Sequence, residues 1–335
     1  MSSPRLRVAI VAALVSVGAV ACGGGGGGND ASTTTSGAVT STTATAPAIQ
    51  AVNAAWTLPA PVAREIVVAN GKEFTVVGGL DATKFSTASV VTVDPDTGVS
   101  RPAGTLAEAV HDAAGVRAGD RILVFGGGGP SENGTADVQA VPNTGATTVI
   151  GTLPGPRSDH VAARVGTTTY VLGGYDGASI VPDVLSTTDG VTFTRMGRLP
   201  VPVRYPAVAV VGKAIYLFGG VSNSQAGIDT RTVQRLDVAS GAIDTVATLP
   251  TSLSHASAIV LGGQVFLLGG YVDNTRLSDQ ILRFDPATGA ATRVGALPAP
   301  VSDAAAVVIG KHGYLVGGQG TDRAPLATVT LISGA

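Results

Sequence analysis

Short apolar runs separated by a glycine-containing turn recur along this chain. One run covers residues 206–211 and reads Pro-Ala-Val-Ala-Val-Val, and the next covers residues 214–218, with Gly212 and Lys213 between them. Two such runs joined by a short turn predict a β-hairpin. The runs are apolar at nearly every position rather than at alternate positions, so we expect neighbouring structure to cover both faces of each sheet.

A pair of glycines follows each predicted hairpin, and successive pairs lie 46 to 50 residues apart. The pairs are Gly78-Gly79, Gly126-Gly127, Gly173-Gly174, Gly219-Gly220, Gly269-Gly270 and Gly317-Gly318. A turn glycine precedes each pair by seven residues, and a leucine precedes it by 20 residues. A fixed period of this length is typical of a repeat architecture in which every repeat is one structural unit. The recurring turn glycine predicts a backbone with positive φ at that point.

The rest of each repeat predicts two further strands. In the fourth unit they cover residues 232–237 and 243–247, and the turn between them begins with Asp237 and ends with Gly241. Asp and Gly at such positions are turn residues. The first run of each unit is rich in alanine, which fits an innermost strand close to a central axis. Four strands in each of six units predict an all-β, six-bladed β-propeller.

Three features recur around the glycine pairs. The pair ends the second strand, an Asp-Pro-x-Thr-Gly turn such as residues 285–289 follows the third strand, and four units carry an aromatic residue three positions before the pair. The aromatic residues are Tyr170, Tyr216, Phe266 and Tyr314, whereas the first two units have Thr75 and Leu123. These features resemble the kelch family over about residues 54–335, and the resemblance implies a kelch-type propeller. The tryptophan that kelch units usually carry on the fourth strand is replaced here by Ile150, Met196, Val246 and Val294.

The two ends of the repeat region complement each other. The sixth unit ends after its third strand, residues 327–332, while residues 54–59 have the ending of a fourth strand without the three strands that should precede it. Pairing the two segments would complete the last blade and remove open sheet edges. We therefore expect one domain over residues 51–335, with its last blade closed by the N-terminal strand.

Residues 1–21 predict a signal peptide. Arg5 and Arg7 precede an apolar stretch over residues 8–20, which is too short to span a bilayer and has the length of a signal-peptide core.

That stretch leads into Ala-Val-Ala-Cys at residues 19–22, which resembles a bacterial lipobox. The resemblance implies cleavage before Cys22, lipid attachment to its thiol, and export. Residues 22–50 are rich in Gly, Ser and Thr and predict a flexible linker. We therefore expect a protein anchored to the membrane by lipid alone, on the extracytoplasmic face, at the cell surface or in the periplasm. Because Cys22 is the only cysteine, an intramolecular disulfide is excluded.

Composition narrows the classes of partner. Charged residues make up 13% of the chain and the net charge is −2, with no basic run, so nucleic acid is not an expected partner. His111, His160 and His255 lie at different offsets in their repeats and have no short metal-ligand spacing. We expect no metal and no cofactor, and we expect a monomer.

Polar residues at the start of the first strands predict a ligand site at one mouth of the axial channel. Fourteen residues before each glycine pair the chain has Arg64, Asp112, Asp159, Tyr205, His255 and Asp303, and neighbouring positions add His111, Arg157, His160 and Arg204. The loops after the second strands add Asp81, Lys84, Glu132, Asn133, Tyr175, Asp176, Asn223, Gln225, Tyr271, Asp273, Asn274, Asp322 and Arg323. A concave mouth with a few convergent polar groups is the default ligand site. The alternative is that these residues cap strand ends and solvate loops.

Two functions follow from this arrangement. The first is a binding module for a protein or glycan outside the membrane. The alternative is a carbohydrate-active enzyme similar to the kelch-type N-acetylneuraminate epimerase, a mutarotase. It would hold a carboxylate with Arg64, Arg157 or Arg204 and transfer a proton with an Asp or His. This alternative requires an arginine and a carboxyl or imidazole group in one pocket, and the sequence leaves open whether the protein is an enzyme.

Overall fold

The computed structural model describes residues 49–129, 134–223 and 228–334. These ranges consist of strands, turns and loops without an α-helix, which confirms the all-β class. The described residues therefore contain no helix that is long and apolar enough to cross a membrane. The predicted signal peptide, Cys22 and the linker up to residue 48 lie outside the described residues, and Gln50, assigned above to the linker, already begins the first strand.

The strands follow one another in a regular order. The first is β1 (Gln50–Val62). Sheet 1 contains β2 (Ile66–Asn70), β3 (Glu73–Val77), β4 (Ser89–Val93) and β5 (Ser100–Thr105); sheet 2 contains β6 (Ala114–Ala118), β7 (Arg121–Gly127), β8 (Thr135–Pro142) and β9 (Thr148–Thr152). Sheet 3 contains β10 (Val161–Val165), β11 (Thr168–Leu172), β12 (Asp183–Thr187) and β13 (Thr194–Arg198).

In the second half, short strands outside the four-stranded sheets occur between the longer ones. The order continues with β14 (Ala207–Val211), β15 (Ala214–Phe218), β16 (Val221–Asn223), β17 (Ile228–Asp229), β18 (Thr232–Asp237) and β19 (Ile243–Thr248), of which β14, β15, β18 and β19 form sheet 4. Next come β20 (Leu253–Ser254), β21 (Ser257–Leu261), β22 (Gln264–Leu268), β23 (Tyr271–Val272), β24 (Arg276–Leu277), β25 (Gln280–Phe284) and β26 (Ala291–Ala296), of which β21, β22, β25 and β26 form sheet 5. The last strands are β27 (Ala305–Ile309), β28 (His312–Val316) and β29 (Leu326–Ser333).

Strand β1 is the outer strand of sheet 6, whose order is β1-β29-β28-β27. It pairs antiparallel with β29, from Gln50 opposite Ser333 to Val62 opposite Leu326, with two register irregularities between these ends. Every other sheet of four strands is a simple antiparallel meander in chain order. Residues 54–59, which belong to β1, therefore complete a sheet whose other strands come from the opposite end of the repeat region.

The six first strands lie side by side. Strands β2, β6, β10, β14, β21 and β27 contact one another in this order, and β27 also contacts β2. Apolar clusters fill the space between each sheet and the next, including sheets 6 and 1. Because each sheet is covered on both faces, its strands are apolar at successive positions rather than at alternate ones.

The glycine pairs connect each sheet to the next one. The second glycine of every pair donates its backbone N–H to a carbonyl two residues before the next first-strand mouth residue: Gly79 to Val110, Gly127 to Arg157, Gly174 to Val203, Gly220 to Leu253, Gly270 to Val301 and Gly318 to Val62, at 2.7–2.9 Å. A Cβ atom on the first glycine would lie 2.0–2.7 Å from the same carbonyl oxygen. The pair is therefore required because the backbones of neighbouring sheets approach each other too closely for a side chain.

We predict that Gly219→Ala destabilises the protein much more than Gly212→Ala. Both glycines have φ near 60°, so each alanine carries a cost of about 1–2 kcal/mol for the left-handed conformation. A Cβ at Gly219 would in addition lie 2.0 Å from the Leu253 carbonyl oxygen, whereas a Cβ at Gly212 has no atom within 4 Å. We expect a further loss of about 1–3 kcal/mol from this overpacking. Denaturant unfolding of both variants measures the difference, and equal midpoints would show that the close approach is not required.

Candidate functional site

Six residues at the mouth form a closed ring of backbone hydrogen bonds. The donor N–H and acceptor carbonyl pairs are Arg64 to Asp303, Asp112 to Arg64, Asp159 to Asp112, Tyr205 to Asp159, His255 to Tyr205 and Asp303 to His255, at 2.8–3.1 Å. Each residue thus donates to its predecessor around the axis, and the first donates to the last. The ring joins the starts of all six first strands and brings six side chains to one small area.

All six ring residues have a left-handed backbone, with φ between 52° and 61°. Aspartate and histidine are enriched among the non-glycine residues that adopt this conformation, which accounts for four of the six. Arg64 and Tyr205 are less suited to it. Because the hydrogen-bonded ring imposes this conformation, we attribute their presence to the contacts of their side chains.

The ring side chains form a connected polar network. The Arg64 guanidinium donates to the Asp112 carboxylate at 2.8 Å, and its Nε lies 3.6 Å from Asp303 Oδ1. The Tyr205 hydroxyl lies 3.3 Å from Asp112 Oδ2. On the other side, His255 Nδ1 lies 2.6 Å from Asp303 Oδ1. Arg64 therefore connects two carboxylates, one of which also orients an imidazole.

Aromatic rings and a second guanidinium extend this network toward the loops. The rings of Tyr205 and His255 stack with centroids 3.8 Å apart. The Tyr271 ring packs edge to face against His255, with 5.6 Å between the ring centroids. The Arg204 guanidinium lies 4.9 Å from the ring centre of Tyr175 and 5.3 Å from that of Tyr205. These cation–π contacts fix the guanidinium in place while its edge stays available for hydrogen bonds.

Two cavities meet at this network. The axial cavity has a volume of about 120 Å³ and is lined by the ring residues together with Glu65 and His160. The mouth pocket has a volume of about 280 Å³, and its polar lining is Arg64, Arg204, Asp229, Ser254, His255, Tyr271, Asn274, Thr275, Asp303, Gln319 and Arg323. Arg64, His255 and Asp303 line both cavities.

Neighbouring charges divide the buried carboxyl groups of the site into two kinds. Burial, and the neighbouring Asp112 charge after it, raise the pKa of Asp159 to about 7, although Arg204 Nη1 lies 3.3 Å from it. For Asp303, burial acts in the same direction, but His255 and Arg64 outweigh it and leave the pKa below its usual value. Asp303 is therefore a stable anion near neutral pH, whereas Asp159 exchanges its proton in that range.

Two further buried groups lie directly below the ring. Burial raises the pKa of Glu65 to about 8; its Oε1 accepts a hydrogen bond from the Ala305 N–H at 3.2 Å. Burial and the Arg157 charge lower the pKa of His160 to about 3, so this imidazole is neutral. At neutral pH both side chains are uncharged, which is how groups this deeply buried are normally found.

The structure places most of the predicted site residues together. Arg64, Asp112, Asp159, His160, Tyr205, His255 and Asp303 line the axial cavity, and Arg204 and Tyr271 line the mouth pocket with three of them. Tyr175 supports Arg204 from the side. Asp176 and Asp273 lie in exposed loops, where Asp176 accepts hydrogen bonds from the backbone of Ala178 and Ser179, and Asp273 pairs with Arg276 at 3.4 Å. A ligand-binding role for these two residues stays a prediction. Glu132, Asn133 and Gln225 lie outside the described residues.

Sequence reasoning missed Glu65 and Asp229. The sequence did contain a signal for Glu65, which is a charged residue at a repeat position where four of the six units have alanine or proline. Those four residues are Ala113, Pro206, Ala256 and Ala304. Asp229 had none, because it belongs to a loop hairpin without an equivalent in every repeat. It is 7% exposed, and its Oδ2 has no hydrogen-bond partner among the described residues. The described ranges contain no group of three or more His, Cys, Asp or Glu side chains arranged to hold a metal ion.

Comparisons with known proteins support the fold. No family model matches the sequence, and no curated protein matches it. The solved structure of YjhT, a kelch-type propeller, is similar to this chain with a TM-score of 0.71 and 16% sequence identity, over 83% of this chain and 96% of that one. The chain is thus an all-β protein built from four-stranded sheets whose fold fits a kelch-type propeller. At this identity the likeness concerns the fold alone.

We predict that Glu65 makes the protein less stable as the pH rises. The folded protein keeps the Glu65 proton up to about pH 8, whereas the unfolded chain releases it near pH 4.5. The contribution of Glu65 to stability is therefore fully present below pH 4.5 and is lost as the pH rises toward about 8. Glu65→Gln mimics the protonated form and should show a smaller fall in unfolding midpoint between these pH values. Glu108→Gln, at an exposed position, is the control and should follow the wild type. Parallel curves for Glu65→Gln and wild type would contradict a buried neutral carboxyl group.

Proposed function

We propose that this protein is an extracytoplasmic carbohydrate-binding protein whose mouth pocket holds a small sugar that carries a carboxylate. The scaffold we propose is a six-bladed kelch-type propeller closed by its N-terminal strand. The six sheets of four strands, the pairing of β1 with β29 and the contact between β27 and β2 support this scaffold.

The observation that carries the proposal is the lining of the mouth pocket. Three arginines, Arg64, Arg204 and Arg323, line one cavity of about 280 Å³ together with the His255–Asp303 pair. The volume is close to the lower limit of ligand pockets, about 300 Å³, and therefore suits a monosaccharide better than a longer glycan. Tyr271 offers an aromatic ring to the apolar face of a sugar, and several side chains offer donors and acceptors to its hydroxyls.

The charge balance favours a carboxylate over a neutral sugar. Arg64 contacts two carboxylates, so its charge is already matched. Among the carboxylates of the described residues, Arg204 forms a salt bridge only with Asp159. Asp159 has a pKa of about 7 and is protonated for much of the time near neutral pH. The guanidinium of Arg204, which lies 4.9 Å from the ring centre of Tyr175, therefore carries positive charge that is only partly matched, and its Nε has no hydrogen-bond partner among the described residues. A carboxylate is the group that this geometry binds best.

A second candidate function is mutarotation of that sugar, and the His255–Asp303 contact favours it. Opening a cyclic hemiacetal or hemiketal moves a proton from the anomeric hydroxyl to the ring oxygen. Asp303 binds Nδ1 of His255 at 2.6 Å, which orients the ring and leaves Nε2 for the sugar. One imidazole that both accepts and donates a proton serves each half of this reaction. The arginines and this acid–base pair share one pocket, as the enzymatic alternative requires.

We also propose that Cys22 is lipidated and anchors the protein to the outer side of a membrane. Strand β1 begins at Gln50, beside Ser333 and close to the β27–β28 turn at Gly310, and it ends at Val62 next to the mouth ring. The chain therefore joins the sheets on the face opposite the mouth.

We predict that the pocket discriminates acidic sugars from their neutral counterparts. Glucuronate and galacturonate should bind at least about tenfold more tightly than glucose and galactose, because a charged hydrogen bond to Arg204 contributes about 1.5–3 kcal/mol. Arg204→Gln should remove this preference, while Arg276→Gln, an exposed loop arginine that lines neither cavity, should retain it. Isothermal titration calorimetry measures both effects. Equal affinity for the acidic and neutral sugars would overturn the proposal.

The enzymatic candidate is tested separately by NMR measurement of the rate at which the sugar's anomers exchange. The wild type should accelerate this exchange, and His255→Gln should not.

For the anchor, we predict that Cys22→Ala moves the protein from the membrane fraction to the soluble fraction, because the thiol that carries the lipid is lost. Fractionation and mass spectrometry of the N-terminal peptide measure this change. A wild-type chain whose Cys22 carries no lipid would contradict the anchor and leave the sugar pocket unaffected.

A further inference from the structure

A cavity of about 340 Å³ lies between sheets 1 and 2, away from the mouth. Its floor contains the hydroxyls of Thr75 and Thr92, and Arg101, Arg117 and Asn143 lie at its rim. Asn143 donates its backbone N–H to Asp120 in the turn between β6 and β7, so the cavity belongs to the face opposite the mouth. The sugar pocket and this cavity share no residue.

The cavity exists because sheet 1 lacks the aromatic residue that other repeats place there. In sheets 4 and 6 the aromatic residue packs against the following sheet, with Tyr216 5.8 Å from Phe284 and Tyr314 5.9 Å from Phe74 between ring centres. Sheet 1 has Thr75 at the equivalent position, and this residue is 2% exposed. A threonine leaves most of the space of an aromatic ring unfilled and introduces a polar group there.

The lining offers hydrogen-bond donors that the protein itself does not use. The hydroxyls of Thr75 and Thr92 are 3.1 Å apart, and one proton is enough for that bond, so the second hydroxyl still has a proton to donate. Arg117 Nε is buried and has no partner among the described residues. A buried donor without a partner is costly, so a ligand with acceptor oxygens would satisfy both groups.

The charges of the cavity point to an anion. Arg101 forms two hydrogen bonds with the Glu73 carboxylate, which matches its charge. Arg117 instead donates from Nη1 to the neutral amide of Asn143 at 2.7 Å. The Asp120 carboxylate acts on Arg117 electrostatically. Within the described residues, however, Arg117 forms no salt bridge with a carboxylate, so its guanidinium has no direct ionic partner at the rim.

We infer that this cavity binds the oxyanion group, phosphate or sulfate, of a small polar molecule. Arg117 and the threonine hydroxyls hold the oxygens, and the remaining volume accommodates the group to which the oxyanion is attached. This site is independent of the sugar pocket proposed above.

The test uses the full chain and calorimetric titration with inorganic phosphate, inorganic sulfate, glucose 6-phosphate and glycerol 3-phosphate. We expect binding of at least one of these anions, and the ranking separates a free ion from a sugar ester and from a lipid-type headgroup. Arg117→Gln should weaken binding at least about tenfold, because a charged hydrogen bond is lost. Thr75→Tyr, which restores the aromatic residue of the other repeats, should abolish it by filling the cavity.

The matched control is Arg164→Gln. Arg164 occupies the equivalent position in sheet 3, nine residues before its glycine pair, and donates to Thr169 at 3.0 Å. This variant should bind the anions as the wild type does. The inference is overturned if none of the four anions binds, if Arg164→Gln weakens binding as much as Arg117→Gln does, or if a folded Thr75→Tyr variant binds normally.

Discussion

The closed ring of six backbone hydrogen bonds at the mouth is the constraint on which the rest of the structure depends. It joins residues that lie 46 to 50 positions apart in the chain, from Arg64 to Asp303, and closes between the first and the last. Such a ring forms only if all six first strands begin at the same height around one axis. It therefore sets the position of each sheet and forces six residues into a left-handed backbone conformation.

The glycine pairs also hold the ring in place, through backbone hydrogen bonds between neighbouring sheets. The carbonyl that each pair binds lies two residues before the next ring residue, so the pair holds the backbone that leads into the ring. Side chains then fill the space between sheets, and here the repeats differ. In sheets 4 and 6 the aromatic residue packs against the following sheet, and where Thr75 replaces it in sheet 1 a polar cavity remains. A regular backbone therefore allows irregular and chemically distinct interfaces.

The proposed sugar site uses the same residues that close the ring. Asp303 and His255 complete the backbone ring and are hydrogen-bonded to each other through their side chains, and Arg64 lines both cavities. The left-handed backbone and the hydrogen bonds of the ring bring these side chains together at one place. The same crowding buries carboxyl groups close together, which is why the pKa of Asp159 rises to about 7 while that of Asp303, beside a histidine and an arginine, falls.

The sequence by itself determined the all-β class, the repeat length, the hairpin in each unit and the ring position 14 residues before every glycine pair, because these depend on local turn conformation and on a pattern that recurs six times. It could not show that the ring residues are joined by backbone hydrogen bonds, since hydrogen bonds between residues more than 40 positions apart leave no local signal. Nor could it find Asp229, which lies in a loop without a repeat equivalent, or the cavity at Thr75. Those features were decided by tertiary structure, because they depend on how neighbouring sheets pack and which side chains that packing leaves without partners.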